Sequence, residues 1–117
     1  MNSGEIWLIN LDPAIGAEIR KTRPAIIVSS DVVGRLPLKI IIPIIGWKSH
    51  YSDVPWIIEL FPDNENKLHK VSGADTFQVR SLSQERFVRI IGKIDPGTMQ
   101  QIKKGLKLVF EIDGVVM

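Results

Sequence analysis

The spacing of the apolar residues constrains the fold of this chain more than any other feature. They fall in short runs of strand length, rich in β-branched and aromatic types, and most runs are closed by proline, glycine or aspartate. Only the stretch after Asp95-Pro96 repeats its apolar residues at helical spacing, with Asp as N-cap and Pro as the first helical residue. The runs predicted as strands are 5–11, 25–29, 38–45, 54–60, 74–82 and 87–94.

Several residues refine this prediction. Pro43 cannot donate to a sheet, so it indicates an edge strand or a bulge near the end of the third run. Ser81 and Gln84 have capping-box spacing for one helical turn. Gly34 marks a turn, and Gly114 lies just past the predicted helix. Because no helices alternate with the strands, we predict a mainly β fold: a strongly bent antiparallel sheet or small, partly open barrel with a C-terminal α-helix.

The composition bounds the function. A chain of 117 residues is long enough for one core, so residues 1–117 are predicted to form a single domain. The chain has no cysteine and only two histidines, which argues against a metal site, and no cofactor motif is present. Fifteen basic residues against thirteen acidic ones leave a net charge of +2, which permits an anionic partner without requiring one.

Nothing in the sequence suggests a membrane or secreted protein. The longest apolar run, 40–45, contains a proline and falls far short of the ~20 residues of a membrane helix. Residues 1–5 lack the basic stretch that opens a secretory signal. We therefore expect a cytoplasmic protein with no membrane partner.

Two polar loops carry the candidate functional residues. The loop 12–22 leads into a basic cluster, and the loop 46–53 combines cationic, hydroxyl and aromatic side chains. Cations beside aromatic rings are what single-stranded nucleic acid requires, although solvated loop charges give the same pattern. His50 is a candidate acid or base near neutral pH, and Glu18 is a candidate ion-pair partner that would orient Arg23.

The order of five segments resembles the MazF/PemK family of toxin endoribonucleases from type II toxin-antitoxin modules. The resemblance covers nearly the whole chain. The segments are 4–13 (GEIWLINLDP), 16–18 (GAE), 23–29 (RPAIIVS), 74–82 (ADTFQVRSL) and 86–94 (RFVRIIGKI).

The resemblance implies an SH3-like β-barrel that forms a homodimer, cleaves single-stranded RNA at short sequences without a metal, and is neutralised by a cognate antitoxin. It places Arg23 on the catalytic arginine of the family, whose guanidinium can hold two phosphate oxygens at once. Arg20, Lys48 and Gln78 are further candidates for RNA contacts.

The chain departs from the family at the second catalytic position. A threonine or serine usually follows the proline of the third strand, whereas here Ile45 stands without a hydroxyl. Ser49 or His50 in the same loop is predicted to compensate. A catalytically inactive RNA- or antitoxin-binding homologue is the first alternative. A CcdB-like toxin that binds gyrase is the second, but the C-terminal tryptophan of that group has no counterpart in residues 113–117.

Overall fold

The computed structural model describes residues 1–33 and 36–113. Gly34 and Gly114, predicted as a turn and a helix end, lie outside these residues. The described residues form one α-helix and a seven-stranded sheet. The elements are β1 (Glu5–Asn10), β2 (Thr22–Ile27), β3 (Leu38–Gly46), β4 (Ile57–Leu60), β5 (Ser72–Asp75), β6 (Arg80–Ser83), β7 (Phe87–Lys93) and α1 (Pro96–Val109).

All pairings in the sheet are antiparallel, in the order β4-β5-β3-β2-β1-β7, with β6 also paired to β3. The long strand β3 pairs with β6 up to Ile41 and with β5 from Ile44 onward. Among the described strands, β4 and β7 end the path without pairing to each other, so the sheet is not closed. The predicted mainly β fold with a C-terminal helix is confirmed, as an open rather than a closed barrel.

Pro43 does not lie in an edge strand, which was one of the two alternatives, edge or bulge, that its missing N–H predicted. It pairs with Ala25 of β2 inside a central strand and is buried. On the other side of β3 it falls between the β6 and β5 pairings, where no partner needs its missing donor. The prediction of an edge strand is wrong because β3 exchanges one neighbour for another at this point.

The prediction of one strand over 74–82 is also wrong. The structure has β5 and β6 there, separated by a 3₁₀ turn at Thr76–Gln78. The Asp75 carboxylate accepts a hydrogen bond from the N–H of Phe77 at 3.1 Å, which starts the turn. Ser83, rather than Ser81, caps the next 3₁₀ turn by accepting from the N–H of Glu85.

The helix α1 packs against the core beside the first of these turns. Asp95 caps it by accepting from the N–H of Thr98 at 2.6 Å, and Pro96 is its first residue, as predicted. Ile102 is fully buried in the core cluster. A Cβ added at Gly105 would lie 2.9 Å from Cγ2 of Thr76, so only glycine lets the helix approach the turn this closely. In the described part of the chain, no helix is long and apolar enough to cross a membrane.

Candidate nucleic-acid groove

A groove of about 560 Å³ lies where the β1–β2 loop meets the end of β3 and the 3₁₀ turn after β5. Four of the six residues predicted for the site line it together: Arg20, Arg23, Lys48 and Gln78. Lys21, Glu18 and Asp75 line it as well. The groove therefore gathers four cationic side chains from the β1–β2 loop, the start of β2 and the loop after β3, which favours an anionic ligand.

Arg23 lies in β2 and is partly buried. Its Nε donates a hydrogen bond to the carbonyl oxygen of Arg20 at 2.8 Å. The side chain of Arg20 is held in turn, because Nη2 donates to the carbonyl of Gly16 at 2.8 Å. The bond from Arg23 uses only Nε–H, which leaves the two terminal amino groups of its guanidinium for a phosphate.

Gln78 joins the 3₁₀ turn after β5 to the β1–β2 loop. Its Oε1 accepts from the N–H of Ile19 at 2.8 Å, and its Nε2 donates to the carbonyl of Ala17 at 3.2 Å. Both ends of the amide thus hold the loop that carries Arg20. Gln78 is in the groove as predicted, but its geometry is that of an anchor for the loop.

Asp75 is a groove residue that sequence reasoning missed. Burial raises the pKa of its carboxyl above the ordinary value, and hydrogen bonds from the backbone N–H groups of Phe77 and Gln78 partly oppose this. A carboxyl group with a raised pKa beside cations is a candidate for proton transfer. The only sequence signal was its place as the second residue of the segment 74–82, one of those that carry the resemblance.

Ser49 and His50 lie at the rim. They begin a 3₁₀ turn, Ser49–Asp53, and both are exposed. Their neighbours Lys48 and Tyr51 line the groove, whereas Ser49 and His50 are not among its lining residues. The His50 ring meets the Tyr51 ring edge-on at a centroid distance of 4.6 Å. Tyr51 is a second groove residue that sequence reasoning did not assign.

Ile45 and Glu18 are two further residues that the sequence singled out. Ile45 lines the groove, so an apolar side chain occupies the position where the family usually has a hydroxyl. The carboxylate of Glu18 accepts from the N–H of Ile15 at 2.6 Å, and no ion pair joins it to Arg23. The predicted orienting ion pair is therefore wrong.

Within residues 1–33 and 36–113, no group of three histidine or acidic side chains could hold a metal ion.

The fold and the groove define a class of small open β-sheet proteins with one helix and a cationic cleft beside β3. Sequence comparison is more specific. The family described as "PemK-like, MazF-like toxin of type II toxin-antitoxin system" matches residues 2–110. The chain belongs to this family.

Individual relatives agree. The endoribonuclease MazF9 of Mycobacterium tuberculosis is 30% identical over 115 residues, covering 96% of this chain and 98% of that protein. The endoribonuclease PemK of Escherichia coli is 42% identical over 45 residues, covering 38% of this chain and 34% of PemK. The crystal structure of MazF from Deinococcus radiodurans has the same fold, with a TM-score of 0.80, 19% identity, and coverage of 96% of this chain and 97% of that one.

Proposed function

We propose that this toxin is an endoribonuclease that binds and cleaves single-stranded RNA in the groove beside β3. The observation that carries the proposal is the convergence of Arg20, Arg23 and Lys48 with the carboxyl group of Asp75 in one groove. The endoribonuclease MazF9 supports it, because its similarity to this chain extends over nearly its whole length.

The reaction that this groove suits is attack of a ribose 2′-hydroxyl on the adjacent phosphate. The O2′–P bond forms, the P–O5′ bond breaks, the 2′-hydroxyl loses its proton and the leaving 5′-oxygen gains one. Negative charge accumulates on the phosphoryl oxygens between these two events. The terminal amino groups of Arg23 can bind two of those oxygens, and Arg20 and Lys48 add charge from either side.

Asp75 is the lining residue best placed to move a proton. Its raised pKa brings the carboxyl group closer to neutral pH, where a general acid or base is most effective. Ser49 and His50 remain candidates to replace the hydroxyl absent at Ile45, since they follow Lys48 directly at the rim. No residue in this scheme requires a bound cofactor, and we propose that cleavage is independent of a metal.

The partners follow from the family. One solved neighbour, a mycobacterial endoribonuclease, is in complex with its cognate antitoxin and matches this fold with a TM-score of 0.76 at 12% identity. We propose that a cognate antitoxin neutralises this chain too, and that the protein acts in the cytoplasm, where its RNA substrate is found.

We also propose a homodimer, because exposed apolar side chains at Val32, Leu38 and Ile40 would be covered by a second copy.

The decisive experiment incubates the purified protein with mixed single-stranded RNA, with and without EDTA. We expect cleavage under both conditions. Cleavage that disappears with EDTA would contradict the metal-free mechanism. RNA binding without cleavage would support the inactive homologue, the second candidate, which the apolar Ile45 favours. Inactivity on RNA with inhibition of gyrase would indicate a CcdB-like toxin. Light scattering that shows a monomer at micromolar concentration would contradict the homodimer.

A further inference from the structure

Two aromatic rings stand exposed next to the groove, outside every role assigned so far. Phe77 is 66% exposed and Trp56 is 36% exposed. Their ring centroids are 6.3 Å apart and the ring planes are tilted by 50°. Exposed rings forgo the free energy of burial, so a neighbouring pair of them calls for an explanation.

The backbone that carries this aromatic pair is fixed. The N–H and the hydroxyl of Thr76 both donate to the carbonyl oxygen of Trp56, at 3.1 and 2.7 Å. Thr76 itself is fully buried, in close contact with Gly105 of α1. The carboxylate of Asp75 accepts from the N–H of Phe77. The backbone that presents both rings is thus held in place before any ligand binds, which lowers the entropic cost of binding one.

Phe77 adjoins the groove through its neighbours in the chain. Phe77 lies in the turn between Asp75 and Gln78, and both of these residues line the groove. When Arg23 binds a phosphate of the RNA, the bases of the two adjoining nucleotides need a surface other than the cationic side chains of the groove. Flat apolar faces beside a cationic channel are the arrangement on which single-stranded nucleic acids stack their bases.

We propose that Phe77, supported by Trp56, stacks one base of the bound RNA strand next to the cleaved bond. This inference rests on the proposed function, since it assumes RNA in the groove. Stacking uses the π-face that all four bases share, so the subsite positions a nucleotide without selecting its identity. Phe77 is thereby a positioning residue for the substrate, whereas Arg23 stabilises the negative charge on the phosphoryl oxygens.

The test compares Phe77→Ala, Trp56→Ala and Phe77→Tyr with Phe61→Ala as the matched control. Phe61 is 63% exposed, as Phe77 is 66% exposed, but unlike Phe77 it has no groove-lining residue within two positions along the chain. With a short RNA substrate, we expect Phe77→Ala to raise KM about five- to a hundredfold with kcat within about twofold, and Trp56→Ala to have a smaller effect. Phe77→Tyr and Phe61→Ala should behave like wild type, and circular dichroism should show all variants folded.

A second set of substrates locates the base. Abasic nucleotides are placed one at a time along the RNA, and binding is followed by fluorescence anisotropy of the labelled strand. At one position, the abasic nucleotide should weaken RNA binding to the wild-type protein as much as Phe77→Ala weakens binding of the intact RNA. The Phe77→Ala protein should then bind the abasic and the intact RNA with the same affinity. Exchange of the base at that position for any other should leave affinity nearly unchanged.

The proposal is overturned if Phe77→Ala and Trp56→Ala bind and cleave RNA like wild type while Arg23→Ala is inactive. The proposed function would then still stand. It is also overturned if these variants weaken only dimerisation or antitoxin binding, since the rings would then belong to a protein interface. If wild type neither binds nor cleaves RNA, both the proposed function and the stacking subsite are wrong.

Discussion

The two loops that form the groove differ in how they are held. The first wall, residues 12–21, is fixed by hydrogen bonds: Gln78 binds it from the 3₁₀ turn after β5, and Asp12 accepts from the N–H of Lys21 at 3.1 Å. The second wall, residues 47–53, contains a 3₁₀ turn with ring contacts among Trp47, His50 and Tyr51. Hydrogen bonds thus hold the first wall, with Arg20, in place before a phosphate binds, whereas Lys48, Ser49 and His50 stand exposed on the turn of the second wall.

This difference separates two roles. Charge that is fixed in advance stabilises a transition state without the cost of reorganisation. Exposed side chains on a turn contribute less per residue because ordering them costs conformational entropy. We therefore expect substitutions at Arg23, Asp75 and Gln78, which lie next to the first wall, to reduce catalysis more than substitutions in the second wall.

The largest effect is expected at Arg23. Arg23→Ala should lower kcat about a hundredfold to a thousandfold, because the transition state loses its main charge stabilisation. Arg23→Lys should be impaired less, since a point charge cannot reproduce the bidentate contact. Wild-type cleavage by a folded Arg23→Ala protein would show that the role implied by the family does not apply here.

Asp75 comes next. Asp75→Asn should lower kcat about a hundredfold, because the amide cannot exchange a proton. If Asp75 acts as the base, wild-type activity falls as the pH drops through the pKa of this carboxyl group, which burial raises above its ordinary value, and the Asp75→Asn variant loses this fall in activity. Burial disfavours the carboxylate in the folded state, so its cost to stability appears as the pH rises through this raised pKa. Thermal unfolding across pH 4 to 8 provides the independent check.

Gln78→Ala separates an anchoring role from an RNA contact. Loss of the bonds to Ile19 and Ala17 should reduce the free energy of unfolding by about 1–2 kcal/mol. Activity should fall about tenfold, because the first wall is no longer fixed. A loss of activity with unchanged stability in urea unfolding would instead indicate that Gln78 contacts the RNA directly.

The smallest effects are expected in the second wall. If this loop replaces the hydroxyl absent at Ile45, either Ser49→Ala or His50→Ala should lower activity, by up to about tenfold, the size of one lost hydrogen bond. Ile45→Thr should then restore the rate in the impaired variant. Unchanged rates for both alanine variants would place all of the chemistry with Arg23, Asp75 and the first wall.

Local patterns were sufficient for most of the fold. The strand at β1 and the helix after Asp95-Pro96 follow from β-rich and helical spacing, because each is encoded by neighbouring residues. The break between β5 and β6 was not predictable in this way. The local bond from the N–H of Phe77 to Asp75 starts the turn, and the bond from Thr76 to the carbonyl of Trp56, twenty residues away in the chain, also holds it. Period-2 alternation carries no information about such a partner.

For the groove, too, some features follow from the sequence and others only from the packing of distant segments. The sequence by itself supplied the basic loop, the arginine at position 23 and the absence of a hydroxyl at Ile45, since these are properties of residue type and order. Only the tertiary structure decided that Lys48 joins Arg20 and Arg23 in one groove and that Asp75 is half-buried there, which raises the pKa of its carboxyl group. It also decided that both ends of the Gln78 amide hold the first wall. Desolvation and long-range hydrogen bonds exist only once distant segments pack together, and for that reason no local pattern contained them.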